Sequence, residues 1–152
     1  MCKLIEKNTD DLMSTLRSAS PADIKSYISE NFSKGQPDFV GYIDELLAQK
    51  HLKRQDVLIR ANLPHKYGYK LLTGEAHTTN RDKILRICFA MHLSLKETQR
   101  VLKLYGMSEL YPKNKRDVVL IVALGNKQHD ILQIDEELIA LDLQPLTNSD
   151  ND

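Results

Sequence analysis

Little in this chain points to catalysis. Cys2 and Cys88, its two cysteines, are too few for a disulfide framework and fit a reducing compartment. Cys88 falls on the apolar stripe of an expected helix, so it reads as a small core residue rather than a ligand. No apolar run approaches the roughly 20 residues that cross a bilayer. The N-terminus, MCKLIEKNTDD, has no apolar core for a secretion signal. A cytoplasmic protein with no membrane contact is expected. The histidines, His51, His65, His77, His92 and His129, are scattered, and none stands with cysteines or carboxylates at zinc spacing. No glycine loop could cradle a phosphate, and no Ser-His-Asp or Cys-His set follows from spacing. Asp135-Glu136-Glu137 reads as a solvated helix face. There is no case for an enzyme, and none for a metal or cofactor. Net charge is lacking too: 21 basic residues balance 21 acidic ones, which alone suggests no polyanion partner.

What is present is helical periodicity. A chain of 152 residues, 41% hydrophobic and 28% charged, suits one soluble domain with helical additions. Asp11–Ser18 and 22–32 form an expected N-terminal helical pair, broken at Ser20-Pro21. Lys34-Gly35-Gln36-Pro37 is the clearest linker. From Phe39 to Lys50 the apolar residues Phe39, Val40, Ile43, Leu46 and Leu47 recur at the helical period. Further helices are expected at Arg81–Met91 and at Leu95–Tyr105, where Ser94 and Glu97 form a capping box and Gly106 is the stop. The expected organisation is an N-terminal pair with linker (1–36), a central domain (37–111), a C-terminal helical hairpin (112–147) and a disordered tail (148–152). The fold class is all-α.

The richest stretch is Leu52 to Gly74, LKRQDVLIRANLPHKYGYKLLTG. It has the layout of a helix-turn-helix: a short helix burying Val57, Leu58 and Ala61, a turn at Asn62-Leu63, and a second helix from about Pro64 to Gly74. Such a unit pushes one exposed helix face into the DNA major groove. Charge coincides with it. Residues 1–49 carry 5 basic and 8 acidic residues, residues 50–116 carry 15 and 5, and residues 117–152 carry 1 and 8. A local basic field gathers phosphate backbone whatever the net charge.

The end of the chain repeats itself. Arg81-Asp82 opens one helical hairpin, closing with Leu104-Tyr105-Gly106 and Leu110. Arg116-Asp117 opens another 35 residues later, closing with Leu141-Asp142-Leu143 and Leu146. Val118–Leu124, VVLIVAL, would alone read as a buried strand. The parallel with Arg81–Met91, and the lack of a partner strand, favour a helix. Tyr105 and Tyr111 flank the joint between the two hairpins and read as packing residues.

Residues 39–93 resemble the lambda-repressor-like, or Xre-type, helix-turn-helix domain of bacterial and phage regulators. A subgroup from Gram-positive bacteria is similar over most of the chain, including Tyr67-Gly68-Tyr69, Gly74, Arg81-Asp82-Lys83, Glu97-Thr98-Gln99 and Leu110-Tyr111-Pro112. Four positions depart from the usual pattern. Lys53 stands for the usual Thr or Ser, Asn62 for the turn glycine, Pro64 for the cap serine, and Gly68 for an inward aliphatic residue. The resemblance implies a lambda-repressor-like domain extended by the N-terminal pair and the C-terminal hairpin, acting on double-stranded DNA. Arg54 would contact DNA from the start of the first motif helix. His65, Lys66, Tyr69 and Lys70 would form the outward face of the recognition helix, with Lys66 and Lys70 reaching guanine O6 and N7 or phosphate. Arg81 and Lys83 would grip phosphate from the next helix start. The other role open to Arg81 is pairing with a nearby carboxylate to hold that start. One such domain covers only a few base pairs, so a homodimer is expected, with the C-terminal unit as its surface.

Two further readings stand beside a DNA-binding transcriptional regulator. A helical adaptor could have kept the helix-turn-helix layout yet bind a partner protein, through Tyr67 and Tyr69 or through the acidic C-terminal unit. A nonspecific nucleic-acid binder is the third.

Overall fold

The helices between residues 39 and 140 end by a shared device, which sets where each next helix starts. The left-handed residue after these seven helices is His51, Asn62, Gly74, His92, Gly106, Lys127 or Asp142, of which two are glycines. A left-handed L-residue costs roughly 1–2 kcal/mol. Back-bonding offsets that: the amides of Leu52, Leu63, Leu93, Met107 and Leu143 donate to the carbonyls of Leu47, Leu58, Cys88, Leu102 and Leu138. These are Schellman closures, and the residue after the left-handed one is apolar in each of these five.

The computed structural model describes residues 9–26 and 38–148, and among these every regular element is helical. The chain divides into two units, at Pro37 and Asp38. In the first, α1 spans Thr9–Ser18, and a 3-10 turn at Pro21–Asp23 follows. The Asp23 carboxylate accepts from the Ser20 amide at 2.9 Å and so closes this start. The helix expected at 22–32 and the linker at 34–37 lie largely outside the described residues, as does most of the expected disordered tail.

The second unit holds seven α-helices: α2 (Phe39–Gln49), α3 (Arg54–Arg60), α4 (His65–Thr73), α5 (Arg81–Ala90), α6 (Leu95–Tyr105), α7 (Lys115–Gly125) and α8 (Ile131–Ala140), then a 3-10 turn at Leu146–Asn148. Val118–Leu124 is thus helical. Side chains of Asp38, Asn80, Ser94, Asn114 and Asp130 cap helix starts by accepting backbone amides. α5 is the centre. All its residues from Lys83 to Ala90 are buried, with α3, α6, α8 and the final 3-10 turn packed around it. The C-terminal hairpin shares this core through Leu120, Leu124, Ile134, Leu138 and Leu146. No described helix is long and apolar enough to cross a membrane. Burial pushes the Cys88 thiol up to about 12.

The two hairpins, α5–α6 and α7–α8, are joined reciprocally. Arg81 pairs with Asp117 at 2.5 Å, and Arg116 binds Asp82 bidentately at 2.7 and 2.9 Å. Each Arg-Asp dipeptide therefore engages the other. Gln99 of α6 brackets Leu110, accepting its amide at 2.7 Å and donating to its carbonyl at 2.9 Å. Asp135 of α8 accepts the Leu146 amide at 2.7 Å. Polar residue and leucine are 11 positions apart in both cases. The duplication therefore extends to the way each hairpin anchors its returning chain.

Where the hairpin turns meet, His92 and His129 stack with centroids 4.4 Å apart. Burial, then Arg60 and Lys50, holds His92 below its ordinary value of 6.5. Burial, then His92, Lys50 and Lys127, does the same to His129. The folded state therefore binds these protons less readily than the unfolded chain. Their contribution is fully present above about pH 6.5 and is lost as pH falls through the depressed folded values. Urea unfolding of the wild type should show stability declining below pH 6.5, and the slope should flatten in His92→Gln/His129→Gln. An unchanged slope in the double variant would remove the pair as the cause.

Candidate nucleic-acid interface

The outward surface of α4 depends on how its inner face is seated. Gly68, Leu71 and Leu72 are buried against the core, while His65, Lys66, Tyr69 and Lys70 are exposed. This is one amphipathic helix with two faces at the 3.6-residue period. Pro64 gives it no side-chain cap, but the Pro64 carbonyl accepts the Gly68 amide at 2.8 Å. Gly74, left-handed at φ 84°, ends it.

Gly68 is a close-approach residue. A Cβ there would lie 2.4 Å from Leu58 Cδ2 of α3. The departure from an aliphatic residue thus leaves no void, because Leu58 occupies the space and α4 sits down onto α3. A larger side chain there requires the Leu58 side chain to shift or α4 to move off α3.

The turn between α3 and α4 is held from within. Arg86 of α5, fully buried, donates its Nε to the Ala61 carbonyl at 2.9 Å and an Nη to the Asn62 carbonyl at 2.5 Å. These are among the carbonyls that a helix end leaves open, and a cation is the favourable charge there. Asn62 takes φ 55° at the turn, the conformation usually given to glycine.

The expected site residues separate into groups. His65, Lys66, Tyr69 and Lys70 share the exposed face of α4, with His65 and Tyr69 rings stacked at 6.2 Å. Arg54 begins α3 and is held to Asp44 of α2 at 2.5 Å, both half open to solvent. It borders an open cleft of about 570 Å³ that also takes in Leu47, His51, Lys53, His65 and Tyr69.

Arg81 and Lys83 lie elsewhere, and both are engaged within the protein. Arg81 is bound to the buried Asp117 and reaches the Ser108 and Glu109 carbonyls, so its donors are turned inward. Lys83 is 5% exposed, its Nζ 4.9 Å from the centre of the Tyr67 ring, and it supports α4 from beneath by a cation–π contact. Tyr105 packs, its ring edge-on to Phe39 at 4.6 Å and its hydroxyl accepting the Thr78 amide. Tyr111, by contrast, is exposed rather than packed.

Sequence reasoning missed Lys53 and His51 at the cleft and the role of Arg86. A signal for Arg86 existed: a lone cation inside the apolar run ILRICFAM must find acceptors if the run is buried. Compared with known protein families, curated proteins and solved structures, the chain matches none.

Three substitutions test this geometry. Gly68→Ala should lower stability by roughly 1–3 kcal/mol through overpacking, and its cost should be smaller in a Leu58→Ala background than in the wild type. Full stability of Gly68→Ala in thermal unfolding would contradict the close approach. Arg81→Ala should destabilise by ~3 kcal/mol by leaving Asp117 without its cation. It should not alter any salt dependence of DNA affinity; a shallower slope would return Arg81 to the phosphate role.

Proposed function

We propose that this protein is a cytoplasmic DNA-binding transcriptional regulator of the lambda-repressor-like, helix-turn-helix kind, with α3 and α4 as its motif helices and α4 laid into the major groove. The observation that carries the reading is α4 itself. Its inner face is fixed by Gly68 on Leu58, by Lys83 under Tyr67 and by the Arg86-held turn. Its outer face offers Lys66 and Lys70 one turn apart, flanked by His65 and Tyr69. A rigid helix with donors on its free side is what base-edge reading requires, since lysine can donate to guanine O6 and N7. Lys53 and Arg54 line the adjoining cleft together with His65 and Tyr69, which supports a backbone-phosphate role for them.

A second reading has its own support. Ile59 on α3 is 69% exposed and Tyr69 on α4 44% exposed, so the same helix pair also offers apolar area to a partner protein. That reading makes the protein a helical adaptor.

Mobility-shift titrations of the full chain against its own promoter region and against random DNA, each at two salt concentrations, separate the two. Lys66→Ala and Lys70→Ala should each flatten discrimination between target and random DNA, at ~1–3 kcal/mol for a lost base contact. Both side chains are exposed, so the fold should be unaffected. If affinity and selectivity are untouched in folded variants, the regulator reading fails and the adaptor reading replaces it.

A further inference from the structure

The duplicated hairpins are buried unequally, and the difference exposes one face of α7. Along α7, Lys115, Val118, Val122 and Gly125 are spaced three, four and three residues apart, the spacing of a helix-pairing seam. Val118 is 40% and Val122 54% exposed, and Lys115 and Gly125 are exposed as well. Shifted by the 35 residues that relate the Arg-Asp dipeptides, Val118, Val122 and Gly125 correspond to Lys83, Ile87 and Ala90 of α5. All three counterparts are buried. In the first hairpin that side lies beneath neighbouring helices, with α3 packed on α5 and Tyr67 of α4 over Lys83. α7 packs chiefly on α8 and α6, and its corresponding side is open.

We infer that this face of α7 takes a second copy of this chain, with the two α7 helices packed antiparallel about a two-fold axis. The seam is complementary to itself only in that direction. Antiparallel pairing sets Val118 against the partner's Val122, and Lys115 against the partner's Gly125, in one register. Gly125 has no atom within 4 Å of where a Cβ would stand, so the backbones can approach there. Charge agrees. Lys115 occupies the first position of α7, the wrong end of its own helix dipole for a cation. Against the partner's Gly125 it meets a helix C-terminus, where a cation is favourable. A seam of these residues is small beside the roughly 800 Å² per partner of a standard interface. The dimer is therefore concentration-dependent in isolation. The inference does not rest on DNA being the ligand.

Sedimentation of the full chain over a concentration series tests it. The wild type should pass from monomer to dimer as concentration rises. Val122→Glu sets a carboxylate against the partner's Val118 and should remain monomeric, with an unchanged circular dichroism spectrum because Val122 lies outside the core. Geometry is read by cross-linking in a Cys2→Ser background. Val118→Cys with Val122→Cys should form disulfide-linked dimers on mild oxidation, while Val118→Cys alone should not, since those two positions are offset along the axis. Wild-type monomer up to the solubility limit would overturn the inference. So would a Val122→Glu protein that still dimerises, or efficient cross-linking of the single Val118→Cys variant.

Discussion

A single buried guanidinium connects the centre of this fold to its candidate working surface. Arg86 extends from the central helix α5 to the carbonyls of Ala61 and Asn62, where α3 ends and the chain turns into α4. Without these carbonyls the guanidinium would lose two of its acceptors inside the core, where an uncompensated cation is costly. Because the contact needs both groups, the direction of α4 is fixed relative to α5 rather than to α3 alone. Leu58 under Gly68 and Lys83 under Tyr67 fix the same helix at two further points.

The second constraint is the exchange of ion pairs between the hairpins. Arg81 with Asp117 and Arg116 with Asp82 bring two helix N-termini together through partly buried charge. Carboxylates near helix starts are favourable in themselves. Each also compensates a cation from the other hairpin, so neither dipeptide is satisfied alone. This ties the C-terminal hairpin into the core and makes it part of the same unit as α2 to α6. It also alters the meaning of the basic block. Arg81, Lys83, Arg86 and Arg116 all lie within residues 50–116, and all are engaged inside the protein. The basic field on the surface is therefore smaller than the sequence count, and Lys66 and Lys70 are a larger share of it.

Helix positions were legible because the signals were local. The apolar spacing of Phe39 to Leu47 and the capping box of Ser94 and Glu97 need no tertiary context to be read. Helix ends were less legible where the left-handed residue is His51, His92, Lys127 or Asp142, since none carries the glycine signature. The reliable mark was the residue that follows, leucine in three of those four cases, whose amide and side chain both turn back on the helix. Gly68 looked like a defect in sequence because a missing side chain reads as a void. It is a contact, because Leu58 comes from the other helix to fill the place.

The sequence by itself determined that the chain is helical, the order of its helices, and that His65, Lys66, Tyr69 and Lys70 share one face of α4. These follow from a period of 3.6 residues and from capping chemistry within four residues of each end. Only the tertiary structure decided which cations face solvent. Arg81 and Lys83 have the same composition and the same helix-start position whether they meet water or protein. What separates them from Lys66 and Lys70 is a carboxylate 36 residues away and an aromatic ring on another helix. Charge is stabilised by whatever acceptor the fold delivers, and that delivery is long-range, so no local pattern encodes it.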